Sequence, residues 1–338
     1  MGLYLDPNPA GFVEAVQSEI YVDKSELIKY TNRVFATAQK NICISRPRRF
    51  GKSMAANMLC AYYGKNSGLR SIFEQLKIYH DESFDKHFNQ YHVIVLNVQM
   101  FLSETHNVQR MIEKIQKSVA EEVQQTYPDI VADSLTELLA RIFDKTSERF
   151  VFIIDEWDCI FREKRENEEG HIAYLDFLRN LLKDRSYVGL AYMTGILPIK
   201  KYGSHSALNM FTEFSMTNPR GLAAYVGFTD EEVEKMQEYP DVVMVEGGYS
   251  TDFLFLSSDD KEAALKCMSL PANINTVELA AGRLPEADNE CVLDASKIDT
   301  TSFEEELIGT KIVIADSNSD SIKDSFKYKE YTVVGLVY

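Results

Sequence analysis

No stretch of this 338-residue chain is apolar over anything like the roughly 20 residues that a membrane-spanning helix needs. Its opening, "MGLYLDPNPAGF", has neither the basic segment nor the apolar segment of a secretion signal. A cytoplasmic protein with no membrane span is the expectation. The five cysteines (Cys43, Cys60, Cys159, Cys267 and Cys291) stand far apart, without the paired spacing of a zinc site or a disulfide framework. Buried free thiols in a reducing compartment follow. All six histidines lie before residue 206, and no repeat, low-complexity tract or Pro/Gly/Ser-rich linker interrupts the chain. Positive charge is also scarce: 36 Lys/Arg face 52 Asp/Glu, a formal net charge of -16. That balance argues against nucleic-acid binding through bulk electrostatics, while leaving a local basic patch open.

What is present is ordinary for a folded protein, with 45% hydrophobic and 26% charged residues. The length suits two domains. Residues 237–338 hold 20 Asp/Glu and 8 Lys/Arg, a net of -12, which leaves -4 for residues 1–236. A break near Met236 is therefore expected. Before it, the short apolar runs "NICIS", "HVIVLNV", "FVFIID" and "VGLAYMT" read as strands buried on both faces of a parallel sheet. Helical patterns lie between them, including "NVQRMIEKIQKSVAEEVQQTY" and a capping box from Ser134 to Glu137, repeated at Thr229 and Glu232. Strand, helix, strand at this spacing predicts βαβ units. After residue 240, "DVVMVE", "DFLFLSS", "TVELAAG", "ECVLDAS", "TKIVIAD" and "YTVVGLVY" read as strands and "DDKEAALK" as a short helix. A smaller β-rich α+β module is expected there.

The chemistry gathers around "RPRRFGKS", residues 46–53, set against the phosphate-loop pattern G-x-x-x-x-G-K-[ST]. Gly51, Lys52 and Ser53 keep the required order, while Arg46 replaces the first glycine. Arg48, Arg49, Phe50, Gly51, Lys52, Ser53 and Met54 are the expected nucleotide-binding residues, because backbone N–H groups leading into a helix N-terminus cradle phosphates. Lys52 would reach the β- and γ-phosphates of ATP, and Ser53 would ligate Mg²⁺. The first glycine mainly eases a turn, which a Pro-containing turn can also supply. About a hundred residues on, "FVFIIDEWD" ends an apolar strand in Asp155 and Glu156: Asp155 is the second metal candidate and Glu156 the group to polarise an attacking water. In isolation, a strand that simply ends in solvated acids is the more common case. Thr194, at the end of "VGLAYMT", is placed to sense the γ-phosphate or is simply a satisfied strand-end hydroxyl. Arg46, Arg48 and Arg49 could neutralise phosphate, contact a partner subunit's nucleotide as arginine fingers do, or stand in solvent.

In order, "YVDKSELI", "SRPRRFGKSM", "FIIDEWD", "MTGILPI", "LNMF" and "GFTDEEV" resemble the AAA-ATPase-like family, a P-loop group that commonly carries the same arginine-led loop. The likeness covers nearly all of residues 5–236. It implies an α/β fold with a RecA/AAA-type parallel sheet and helices on both faces, ATP with Mg²⁺, and an intracellular protein with a homo-oligomer or protein partner open. Lys52, Ser53, Asp155 and Glu156 take the roles argued above. Tyr21, Asp23 and Lys24 match the family's N-terminal motif and lie near the nucleotide or serve structure. Two departures stand out: Trp157 for a usual tyrosine, and Asn97 for a usual aspartate, which would weaken the site's charge network. Such chains often end in a PD-(D/E)XK nuclease-like domain. Here Pro240 and Asp241 begin suitably, but Gly248 sits two residues after Glu246 where the lysine belongs, so that reading is rejected.

The tail is similar to something else. "INTVELAAGRLPEADNECVLDAS", then "IGTKIVIAD" and "YTVVGLVY", resemble the extracytoplasmic, MacB-like domain of FtsX-like ABC-transporter permeases over roughly residues 240–338. The resemblance implies a non-catalytic interaction module that is truncated at Tyr338, and taken alone it would imply an extracytoplasmic location. The simplest account is a composite, joined near residues 236–240 by gene fusion or by an error of frame or assembly. Three functions compete: a Mg²⁺-dependent P-loop ATPase, a nucleotide-gated interaction protein with little turnover, and an adaptor whose tail carries the biology.

Overall fold

A computed structural model describes residues 2–338 apart from 66–67, 165, 200–207, 216–219, 241, 247, 249, 257–261, 271, 275, 296–306 and 319. The chain divides into two compact units, Met1–Glu232 and Val233–Tyr338.

In the first unit the apolar runs become β1 (Asn41–Ser45), β2 (His92–Asn97), β3 (Phe150–Asp155) and β4 (Val188–Gly195), joined by a strand the sequence reading lacked, β5 (Thr212–Phe214). All pair in parallel, in the order β2-β3-β4-β1-β5. Side chains alternate across a pleated strand, and both sides of this sheet are covered. Ile42, Ile44, Val151, Ile153, Leu190 and Tyr192 join one apolar cluster with α1 (Ala10–Val16), α2 (Glu26–Val34), α3 (Lys52–Tyr63), α4 (Arg70–Phe73) and α5 (Phe84–His87). Cys43, Phe150, Phe152, Ile154, Ala191 and Met193 join the other, with α6 (Val98–Thr105), α7 (Val108–Thr126), α8 (Leu135–Thr146), α9 (Cys159–Glu163) and α10 (Glu168–Leu182). The unit is a mixed α/β fold of the P-loop, AAA-like kind, with helices on both faces of a parallel sheet.

The helix starts are chemically marked. Glu137 N–H donates to Ser134 Oγ at 3.2 Å, while the Glu137 carboxylate accepts from Asp133 N–H at 3.1 Å, one residue before the expected return bond. At α11 (Asp230–Met236) the box is reciprocal, with Glu232 N–H to Thr229 Oγ1 at 3.3 Å and Thr229 N–H to Glu232 at 2.8 Å. Beneath α2, buried Asn32 receives Tyr63 OH at 2.8 Å and donates to Tyr62 OH and Ser83 Oγ at 2.9 Å each, so that polar network is internally satisfied.

The second unit is a separate sheet of β6 (Ser250–Leu256), β7 (Glu262–Met268), β8 (Leu279–Gly282), β9 (Glu290–Asp294), β10 (Lys311–Ile314) and β11 (Glu330–Val337). Its pairings are antiparallel except β9 with β11. Two expectations are corrected. "DDKEAALK" was expected to be helical, but from Glu262 it is strand: Ala, Lys and Glu favour helices, yet the full-length pairing with β6 overrides that preference. "DVVMVE" is β-branched, but residues 242–246 are irregular and find no partner strand among the described residues; Asp241, like residues 259–261, lies outside them. The phrase "GRLPEADNE" folds as a loop closed by Arg283, which donates to Glu290 at 2.7 Å, while Glu290 also accepts from Glu286 N–H at 2.8 Å. The Arg283 hydrogen bonds, with those backbone donors, hold the Glu290 carboxyl at about 2. Of the cysteines, Cys43, Cys60 and Cys159 are buried as expected, whereas Cys267 on β7 is exposed and Cys291 half-buried; all five are free.

Candidate functional site

Strand β1 does not turn at Arg46. The Arg46 N–H donates to Gly195 O at 3.0 Å, adding a rung beyond the Ser45–Gly195 register, and the residue is buried. An opening glycine is unnecessary because Arg46 still bonds to β4 and is not among the left-handed residues. The turn comes later, at Arg49 (φ 70°) and Gly51 (φ 72°), both left-handed. Glycine meets that conformation freely, whereas Arg49 holds it at a cost of about 1 kcal/mol. Gly51 is the N-cap of α3, and no side chain caps this helix end. Its first N–H groups are thus free to meet an anion. Burial lowers the basicity of Arg46, and Arg48 and Arg49 are exposed. Phe50 rests against Gly227 of "GFTDEEV", where an added Cβ would lie 2.9 Å from its ring.

Three elements converge on Asp155. The strand order sets β4 between β1 and β3, so the ends of these strands lie side by side. Ser53 Oγ, on the first turn of α3, donates to Asp155 Oδ2 at 2.7 Å. Thr194 Oγ1, at the end of β4, donates to Asp155 Oδ1, which also accepts the Glu156 N–H at 3.0 Å. Asp155 is 8% exposed and Thr194 fully buried, so the threonine hydroxyl is spent on the carboxylate. Lys52 is likewise buried, and its ammonium donates to Pro47 O at 2.8 Å within its own loop. Burial lowers the Lys52 pKa, and the charges of Glu156, Asp155 and Asp158 oppose that shift. Lys52 and the Asp-Glu pair therefore share one electrostatic neighbourhood.

The metal candidates fit a hard divalent cation in chemical kind. Ser53 Oγ and Asp155 Oδ2 are oxygen donors already 2.7 Å apart at a helix N-terminus. Mg²⁺ prefers few protein oxygens completed by phosphate and water. Met54, expected in the loop, is 47% exposed on α3.

Other sequence candidates have structural partners. Asp23 accepts Ser25 N–H at 2.8 Å and Lys77 N–H at 2.7 Å; Lys24 donates to Ala224 O at 2.7 Å and pairs with Glu232. Tyr21 packs against the α1–α5 face. Asn97 caps α6 by accepting Met100 N–H at 2.9 Å, a task aspartate performs equally, so its side chain is committed to the helix. Trp157 is fully buried against Phe161. Glu246 accepts N–H groups of Ala272, Asn273 and Ile274 at 2.6–3.0 Å, a backbone anchor. The sequence reading missed Arg162, which pairs with Glu156 and whose Nε meets Asp158 Oδ2 at 3.1 Å. The Asp158–Arg162 spacing of four on a helix was its only signal.

A cavity of about 820 Å³ lies elsewhere in this unit, lined by Lys29, Arg33, Asp81, His87 and Phe214 among others, and by no phosphate-loop residue. Its Asn32 is fully engaged with Tyr62, Tyr63 and Ser83.

The parallel sheet, the loop running into α3 and the Ser53–Asp155 contact define a P-loop α/β unit. The family model described as a predicted AAA-ATPase matches residues 13–204, more than half of the chain, and the chain belongs to this AAA-ATPase-like family. No curated protein matches it. Among solved structures, C. elegans PCH-2 is similar at 14% identity and a TM-score of 0.25, over 61% of this chain; the match spans 40% of that chain. No helix among the described residues is long and apolar enough to cross a membrane.

Proposed function

We propose that residues 1–236 bind ATP with Mg²⁺ and hydrolyse it. The reading rests on one observation above all, the 2.7 Å hydrogen bond from Ser53 to Asp155, which joins the phosphate-loop helix to the acid-bearing strand. The N–H groups of Arg48–Ser53 would receive phosphate oxygens, and Lys52 would leave Pro47 O for the β- and γ-phosphates. Ser53 and Asp155 would hold Mg²⁺, whose charge offsets that of the phosphates. Thr194 fixes the Asp155 carboxylate. Glu156 takes the proton from a water whose oxygen bonds to the γ-phosphorus as the bond to the ADP oxygen breaks. Arg48 and Arg49, exposed on the loop, remain for the same phosphates or those of a neighbouring copy. An intracellular location belongs to the same reading.

A second reading is a nucleotide-gated switch with little turnover. The pairing of Glu156 Oε2 with Arg162 favours it, since one of the two carboxylate oxygens is then held by a cation and only Oε1 is left to meet water. Within either reading, residues 240–338 serve as the permease-like interaction module that their sequence resembles.

Titration with ATP, with and without Mg²⁺, tests binding: the wild type should bind Mg²⁺-dependently, and Lys52→Ala should weaken it by at least about tenfold, or 1.4 kcal/mol. Equal affinity in both proteins would remove the basis of the proposal. Phosphate release then separates the readings, because Glu156→Gln should lower turnover by about 100- to 10,000-fold in an ATPase, leaving a measurable residual rate, and should change nothing in a switch.

A further inference from the structure

We infer that Arg162 is the positioning residue for Glu156, coupling the water-activating carboxylate to the backbone just beyond Thr194. The inference rests on the hydrolytic reading above and adds a residue to it.

The geometry has three parts. Glu156 sits at φ 55°, a left-handed conformation that a glutamate adopts at a cost of about 1 kcal/mol. The chain thereby reverses between the end of β3 and α9, and the side chain of a residue six positions on comes back to the strand end. Arg162 Nη2 pairs with Glu156 Oε2, and both side chains are largely withdrawn from solvent, 16% and 24% exposed. The same guanidinium is held from behind. Its Nε donates to Asp158 Oδ2 at 3.1 Å, and Asp158, with a fully buried side chain, accepts the Leu197 N–H at 2.9 Å through the same oxygen. Leu197 lies three residues past Thr194. Trp157 N–H meanwhile donates to Thr194 O at 3.0 Å.

Glu156 is thus not a free side chain at a strand end. It is fixed by a planar fork whose other arm is anchored on the buried Asp158 carboxylate. A lysine could not reproduce this, because a single ammonium replaces two directed N–H groups on one rigid plane. The charges of Glu156, Asp158 and Arg162 all act on Lys52, so the fork lies within electrostatic range of the loop lysine. Orientation of this kind acts on the chemical step and leaves ground-state binding largely alone.

The test uses steady-state phosphate release and ATP affinity on the full chain for Arg162→Gln, Arg162→Lys, Glu156→Gln and the Arg162→Gln/Glu156→Gln pair. Arg162→Gln should lower kcat by about 100-fold with ATP affinity within about threefold of wild type. Arg162→Lys should recover part of that loss and carries the test if the glutamine variant does not fold. In the Glu156→Gln background, Arg162→Gln should cost nothing further, since the two act as one unit. Additive losses, or a loss confined to ATP affinity, would overturn the inference. So would faster turnover in Arg162→Gln, which would make Arg162 a restraint. A wild type that turns ATP over and an Arg162→Gln variant that matches it sink this inference alone; a wild type that binds ATP without turnover sinks the hydrolytic reading and this inference together.

Discussion

The two sheets of this chain use opposite strategies. In the first unit every strand is parallel, and β1, β3 and β4 are buried along their whole length between two extensive helical layers. In the second, the sheet is mostly antiparallel, its apolar cluster is built on Phe253, Ile312, Ile314 and Val333, and β7 has no fully buried residue. Parallel strands all end on one edge, and that edge gathers Asp155, Thr194 and the loop after β1 into one place. Antiparallel strands end alternately on both edges and offer no such meeting point. Charged residues in the second unit pair along its surface, as Lys311 does with Glu330 and Lys329 with Asp316. The difference teaches why the candidate site residues gather in the first unit.

If the comparison is sound, the units respond separately to damage. The largest effect is expected from Phe152→Ala, which empties a fully buried site on β3 and should cost about 3–5 kcal/mol. Calorimetry should show one transition lowered and ATP binding lost at elevated temperature, with the other transition unmoved. A single transition that shifts as a whole would break the comparison.

A smaller effect comes from pH. The second unit has no histidine, whereas His87 in the first is 4% exposed, with Nδ1 2.9 Å from Tyr91 OH. Burial pushes its pKa down from 6.5 to about 4. Between those values the unfolded chain binds a proton that the fold does not. Stability is therefore complete above pH 6.5 and falls as pH drops towards 4, by up to about 3 kcal/mol. His87→Gln should flatten that slope for the first unit in urea titrations at pH 7 and pH 4.5. An unchanged slope would show that His87 accepts its proton in the fold.

How far the sequence reveals the molecule also differs between the units. β1 and β3 are legible to the residue, because strands buried on both faces must be continuously apolar. The loop is legible because its glycine and lysine serve a fixed backbone geometry. Arg162 is not: its sequence signal is no more than the spacing of four from Asp158, and it reaches the site through its pair with Glu156, which sits in a left-handed conformation. β5 is hidden by its length of three residues. In the tail, residues 262–268 carry helix-forming Ala, Lys and Glu, and only the neighbouring β6 makes them a strand. Local preference governs where the chain packs against itself nearby and fails where a partner decides.

The smallest expected effect tests the tail by a residue that imitates a strand. β10 ends at Ile314, opposite Phe255, which leaves Leu254 beyond its last rung. Asn318 takes over: its Oδ1 accepts Leu254 N–H at 2.8 Å, and its Nδ2 donates to Leu254 O at 2.7 Å and Ala315 O at 2.8 Å. Leu254 O keeps a second donor, Ala315 N–H at 2.9 Å, so Asn318→Ala orphans chiefly one N–H. The cost should be about 1–3 kcal/mol. Asn318→Asp keeps the acceptor for that N–H but loses both donors and buries a charge, so it should not rescue. Hydrogen exchange at Leu254 should quicken in both variants while ATP affinity holds at the wild-type value. Loss of ATP affinity on cutting this one rung would mean that the two units share a folding transition, and the contrast between them would no longer divide function.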